Sequence, residues 1–86
     1  MLITLQEIDE IINLDNIKKI SVEPMMTTNK ALEEVFDEMT GVFAEYISGG
    51  RELLGEYETY DDASEAFTGI IRAYEENEKL YCMPEM

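Results

Sequence analysis

The sequence contains no histidine, no tryptophan, one cysteine and two prolines. Without histidine there is no imidazole for a Ser–His–Asp triad, a Cys–His nucleophile pair or a thiolate–imidazole zinc site. A single cysteine, Cys82, rules out an intrachain disulfide framework. Beside Tyr81 and Met83 it reads as a small apolar residue. Cations are scarce as well: six Lys and Arg stand against 20 Asp and Glu, a formal charge of −14. Such a chain repels phosphate backbones, so direct nucleic-acid binding is not expected. It is drawn instead to basic protein surfaces. No apolar run approaches the roughly 18–20 residues of a membrane span. The first residues, "MLITLQEIDE", are acidic and lack the basic region that opens a signal peptide. The expectation is a cytoplasmic protein with no membrane contact.

Eighty-six residues suit one domain, 1–86. A chain of this length buries only about 60–65% of its unfolded surface, so self-association would help it, and a homo-oligomer is among the expected assemblies. "MLITLQEID" reads as a strand. Two apolar runs, Ile11–Leu14 and Ile17–Val22, flank Asp15 and Asn16, residues that accept turn conformations; this predicts a hairpin. Pro24 is expected to end the strand. Thr28 or Asn29 then caps a helix over "KALEEVFDEM", where Leu32, Val35, Phe36 and Met39 recur at spacings of three and four. Glu33, Glu34, Asp37 and Glu38 take its opposite face, and Gly41 stops it. The stretch "EVFDEMTGVFAEYI" also fits an extended reading.

"GVFAEYIS" is rich in β-formers, Gly49 and Gly50 make a tight turn, and "RELLGEY" returns antiparallel. Gly55 within that strand suggests a bulge or a close backbone approach. A second helix is expected from about Tyr60 to Glu76. Thr59 and Asp62 have capping-box spacing, with Asp in place of Glu, and Ala63, Ala66, Phe67, Ile70, Ile71 and Tyr74 form an apolar stripe. "EKLYCMP" closes the chain as a short strand. Together these elements predict an α+β fold: an antiparallel sheet of four to five strands with two helices packed on it.

Little in the chain points to catalysis, and no cofactor or metal is expected. Asp61, Asp62 and Glu65 have the oxygen chemistry of a magnesium or calcium site, but acids in a first helical turn are expected from the helix dipole alone. Exposed runs of Glu lack the cleft and raised pKa of an acid–base pair. Arg51, after the two turn glycines, and Arg72 are the cations available to an anionic ligand, although Arg72 also has Glu65, Glu75 and Glu76 within helical reach. Tyr46 and Tyr57, on the two arms of one hairpin, are expected to share a face.

Four elements are shared with a known pattern: the "INLDNI" strand pair (Ile12–Ile17), the LG-x-Y strand end (Leu54–Tyr57), an Ala-rich helix ending near "AY" (Ala63–Tyr74) and a final Y-x-MP strand (Tyr81–Pro84). The chain in this respect resembles small acidic proteins encoded by phages and prophages of Gram-positive bacteria. The resemblance covers about half the chain and implies a counter-defence role, of anti-CRISPR type or of the anti-Thoeris type that sequesters a cyclic nucleotide.

Charge and resemblance lead to one expectation. The chain is a non-catalytic inhibitor of a bacterial defence system. It binds a basic, nucleic-acid-binding host protein, such as a CRISPR effector, by placing carboxylates where phosphates would sit. Its contact set is Glu33, Glu34, Asp37, Glu38, Glu52, Glu56 and Glu58. The alternative is an oligomeric sponge for a cyclic nucleotide immune signal, held by Arg51 and Arg72.

Overall fold

The N-terminus and the C-terminus pair side by side. In the computed structural model, which describes residues 1–6, 9–29 and 34–85, β1 (Leu2–Thr4) lies between β2 (Ile11–Asn13) and β6 (Leu80–Cys82). β2 runs antiparallel to β1, while β6 runs parallel to it, with Ile3 opposite both Ile12 and Tyr81. A second three-stranded sheet is an antiparallel meander of β3 (Ile17–Asn29), β4 (Glu34–Tyr46) and β5 (Arg51–Tyr57). One helix, α1 (Tyr60–Glu75), packs against all three meander strands. Among the described residues no helix is long and apolar enough to cross a membrane.

This architecture overturns the expected single sheet of four to five strands with two helices. The described residues form two small three-stranded sheets and one helix. The helix expected over "KALEEVFDEM" is not formed where the chain is described, because Glu34–Tyr46 is one continuous strand; Lys30 to Glu33 lie outside the described residues. The 3,4-spacing of Val35, Phe36 and Met39 gave way to tertiary pairing. β3 does not end at Pro24 but runs through it, with Pro24 opposite Thr40, Met25 opposite Met39 and Asn29 opposite Glu34. Proline is tolerated there because β3 is an edge strand. A register shift between Thr27 and Thr28, where Phe36 is the extra residue, lets both strands continue. Gly41, expected to stop a helix, sits inside β4. A Cβ there would lie 2.6 Å from Met25 Sδ and 2.7 Å from Phe43 Cε2, so glycine lets these side chains close over the strand.

The hairpin expected across Asp15–Asn16 is also not formed. Leu14–Asn16 is a turn of 3-10 helix, opened by the Asn13 side chain, which accepts from the Asp15 N–H at 3.0 Å. It carries the chain from one sheet to the other, so β2 and β3 never pair. β4 is paired along its whole length with β3 but with β5 only over Thr40–Glu45. The distal part of β3 and β4 therefore projects as a two-stranded ribbon. Thirteen residues span about 44 Å when extended, close to the 47 Å long axis of the molecule.

Other expectations hold. Gly49 and Gly50 have φ of 100° and 89°, values that only glycine adopts freely, and β5 returns antiparallel. The bulge expected near Gly55 is present, with Leu54 inserted between the Val42–Gly55 and Phe43–Leu53 pairs. α1 starts where expected: Thr59 accepts from the Asp62 N–H at 3.1 Å. It ends one residue early, in a cap where Asn77 takes φ 59° and the Glu78 N–H reaches the Ala73 carbonyl at 2.9 Å.

One apolar cluster joins both sheets and the helix: Ile3, Leu5, Ile12, Val42, Ala44, Leu54, Tyr57, Ala63, Ala66, Ile70 and Met83 are buried within it. Gln6 fastens its open end. Its Oε1 accepts from the Glu56 N–H at 2.6 Å, its Nε2 donates to the Pro84 carbonyl at 3.1 Å, and its own N–H reaches the Leu54 carbonyl at 3.0 Å. Gln6→Ala removes both side-chain bonds and leaves a half-buried N–H without its acceptor. The expected loss is about 1–2 kcal/mol, read as a lower urea midpoint with an unchanged slope.

Candidate functional site

Charge is unevenly spread over the meander. β3 and β5 are its two edges. The β5 edge and its flank carry Glu52, Glu56 and Glu58, and the β1–β2 connection brings Glu10 near Glu52. The opposite edge, β3, carries Lys18 and Lys19.

Glu52 lies opposite Ala44 and is half-buried. Its carboxyl is held above the usual range, first by burial and then by the neighbouring Glu10 carboxyl, while the nearby Tyr46 hydroxyl pulls the other way. The Tyr46 hydroxyl is itself pushed up, first by burial and then by the charge of Glu52 and Glu10. Two carboxyls are thus crowded against one phenol. Glu56 lies opposite Gly41, half-buried, with its N–H bound to Gln6. Glu58 is exposed between β5 and the helix cap. The ion pairs among the described residues lie elsewhere: Lys18 to Glu45 at 3.3 Å, and Arg51 to Glu23.

The remaining acids of the expected contact set are not brought to this edge by pairing. Glu34, Asp37 and Glu38 stand on the β4 side of the ribbon, opposite Asn29, Thr27 and Met26. Glu33 lies outside the described residues. Acids expected on one helix face are therefore spaced along a strand, a consequence of the ribbon replacing the helix.

The two candidate anion-binding arginines are separated by the meander sheet. Arg51 lies on the face away from α1, bound to Glu23 and stacked over the Phe43 ring at 4.4 Å from its centre. Glu23 is drawn below the usual carboxylate range, first by the Ser21 hydroxyl, which donates to it at 2.6 Å, and also by the charges of Arg51 and Lys19. Arg72 is exposed on α1 beside a shallow hollow lined also by Asp61, Ser64, Glu65 and Thr68, so two carboxylates share its space. Within one chain the arginines do not form a common anion pocket. Among the described residues no group of three or more acids is gathered closely enough to hold a metal ion.

Tyr46 and Tyr57 do sit on one hairpin, but at opposite ends of it. Tyr57 is buried and donates to the Pro84 carbonyl at 2.8 Å. Burial, and then the neighbouring Tyr81, push its hydroxyl up to about 12 from 10.0. Because the folded value is raised, the unfolded chain loses this proton first. Stability should therefore fall as pH rises from about 10 to about 12. In Tyr57→Phe this decline should shrink, and the tyrosinate absorbance step near pH 12 should disappear.

Two features were not anticipated. Glu10 stands far from Glu52 in sequence, and only the β1–β2 connection places it there. Ile71 and Tyr74, two members of the apolar stripe on α1, are 43% and 65% exposed. They border an apolar cleft with Leu14, Ile17, Ile20 and Ile70 at the junction of β3 and α1. The stripe on α1 is wider than the small sheet beneath it covers, a width visible in its six apolar positions. Comparison with protein-family models, with curated proteins and with solved structures found no match to this chain.

Proposed function

We propose that the chain is a non-catalytic, cytoplasmic inhibitor whose acidic β5 edge binds a basic, nucleic-acid-binding host protein in the manner of a phosphate backbone. One observation carries this reading: the carboxyls of Glu52 and Glu10 are crowded together, while the ion pairs among the described residues lie away from them. Like charges held together are unfavourable in the free protein. A cationic partner relieves that repulsion on binding, and in this reading supplies the missing countercharge. Glu56, opposite Gly41 on the face away from α1, and the exposed Glu58 carry the acidic surface round the β5 edge, and the ribbon acids Glu34, Asp37 and Glu38 add a second contact. The formal charge of −14 supports fast, salt-sensitive encounter with a basic surface. The target class is a bacterial defence effector such as a CRISPR nuclease, as the resemblance to phage counter-defence proteins implies.

The test is capture from a nuclease-treated bacterial lysate on the immobilised chain, with mass spectrometry of both bound proteins and released small molecules. Basic nucleic-acid-binding proteins are the expected catch. A cyclic nucleotide released without any protein partner would point instead to sequestration of a signal, and the inhibitor reading would be abandoned.

A further inference from the structure

We propose that two copies of this chain join edge to edge through β3, in an antiparallel pairing centred on Ser21. β3 is paired on one side only, with β4. Among the described residues no other backbone group bonds to it between Lys18 and Pro24. A free edge of this kind is a template for another strand.

The sequence along that edge is self-complementary. In an antiparallel ladder, groups that point outward meet only groups that point outward, so the two paired positions must both be odd or both be even. A pairing centred on Ser21 satisfies this. It sets Lys19 against Glu23 of the second copy, Ile20 against Val22, and by symmetry the reverse. Lys19, Ser21 and Glu23 belong to the face away from α1, opposite Glu45, Phe43 and Gly41, whereas Ile20 and Val22 belong to the face that packs on the core. The ion pairs and the apolar pairs therefore fall on separate faces, each matched to its surroundings. Both ion pairs are of opposite charge directly across the strands, the favourable arrangement.

Charge also selects this edge. Ile17 to Met25 contains two lysines and one glutamate, a net positive stretch in a chain of −14. A second copy, repelled elsewhere, is accepted here. Pro24 limits the pairing. It has no N–H to donate, which a strand tolerates on its open side; by alternation Ile20 and Val22 then turn their N–H and C=O outward, and the ladder stops at Pro24. The cleft of Leu14, Ile17, Ile20, Ile70, Ile71 and Tyr74 borders the same edge, so the second copy shields apolar surface left open in a single chain. The product is a six-stranded sheet in the order β5-β4-β3-β3-β4-β5, with both acidic β5 edges outermost.

Lysine and proline on an edge also serve to keep strands apart, so the test has to separate the two roles. Sedimentation equilibrium should give a mass approaching twice the chain's 9.9 kDa as concentration rises. Lys19→Glu sets like charges together twice by symmetry and should weaken the dimer at least about tenfold. Lys19 is exposed, and circular dichroism checks that the fold is kept. The register is read separately in a Cys82→Ser background. Ser21→Cys places two thiols directly across the symmetry axis, about 4.5–5.5 Å apart at Cα, within disulfide reach. Lys19→Cys places them about four residues out of step, roughly 13 Å. Selective crosslinking of Ser21→Cys is expected under mild oxidation. A monomer at every concentration, a dimer that Lys19→Glu leaves intact, or crosslinking at position 19 as fast as at 21 would each overturn the proposal.

Discussion

Ile3→Ala is expected to destabilise the chain by about 2–5 kcal/mol, the usual cost of truncating a buried isoleucine. Ile3 is 0% exposed and is the middle residue of β1, flanked by Ile12 on β2 and Tyr81 on β6. The two strands it joins lie near opposite ends of the chain, so a cavity there loosens both the sheet and the docking of the C-terminal segment. Collapse around the cavity is restricted, because Leu5, Ile12 and Met83 are already part of the same packed cluster. Domains of this size commonly have only about 5–10 kcal/mol in total. A loss of this order should lower the thermal midpoint by roughly 10–30 °C. Ile11→Ala, one position before Ile12 but 61% exposed, is the control and should change stability by less than about 0.5 kcal/mol. Equal effects from the two would mean that β1 is not the seam between the termini.

Neutralising the β5 edge should have the largest effect on binding. Glu52→Gln, Glu56→Gln and Glu58→Gln together remove three carboxylates from one strand and its flank. At about 0.5–1 kcal/mol for each charge facing a cationic partner, affinity should fall on the order of tenfold to a hundredfold. The fold should survive. The side chain of Glu56 is not the group bound to Gln6, since its N–H makes that bond. Stability also has a defined direction at Glu52. Its carboxyl is raised in the folded state, so the folded chain binds this proton more tightly than the unfolded one. Stability from this group therefore rises as pH falls through its raised range, and is lost above it. Glu52→Gln should flatten that dependence while leaving the chain folded at neutral pH. A variant that bound poorly because it had unfolded would show the opposite, a lost thermal transition.

The parts of the fold legible in the sequence are the local ones. Thr59 with Asp62 marks the start of α1, and Gly49–Gly50 marks the β4–β5 turn, because each depends on residues within a few positions. What escaped was non-local. The pairing of β1 with β6 depends on contacts across nearly the whole chain. "KALEEVFDEM" has helical spacing, yet the described part of it is strand, because β3 continues through Pro24 and offers a partner that local periodicity cannot reveal. Asp15–Asn16 was legible as a turn, but not as a corner between two sheets rather than a hairpin. The candidate site shows the same division. Glu52, Glu56 and Glu58 stood out as acids that no helix cap explains. Glu10 did not, since only the β1–β2 connection carries it to Glu52. Arg51 looked like a free cation beside a glycine turn; the β3–β4–β5 meander instead supplies it with Glu23 and Phe43.

Competition with nucleic acid tests the central claim most directly. Proteins captured from a bacterial lysate on the immobilised chain would be challenged with duplex DNA or with RNA at fixed ionic strength. Phosphate mimicry predicts that the nucleic acid releases the captured protein. It also predicts that capture falls steeply between about 50 and 200 mM salt, and that the Glu52, Glu56 and Glu58 variant captures little at either salt. Capture that neither nucleic acid nor salt disturbs would contradict the account.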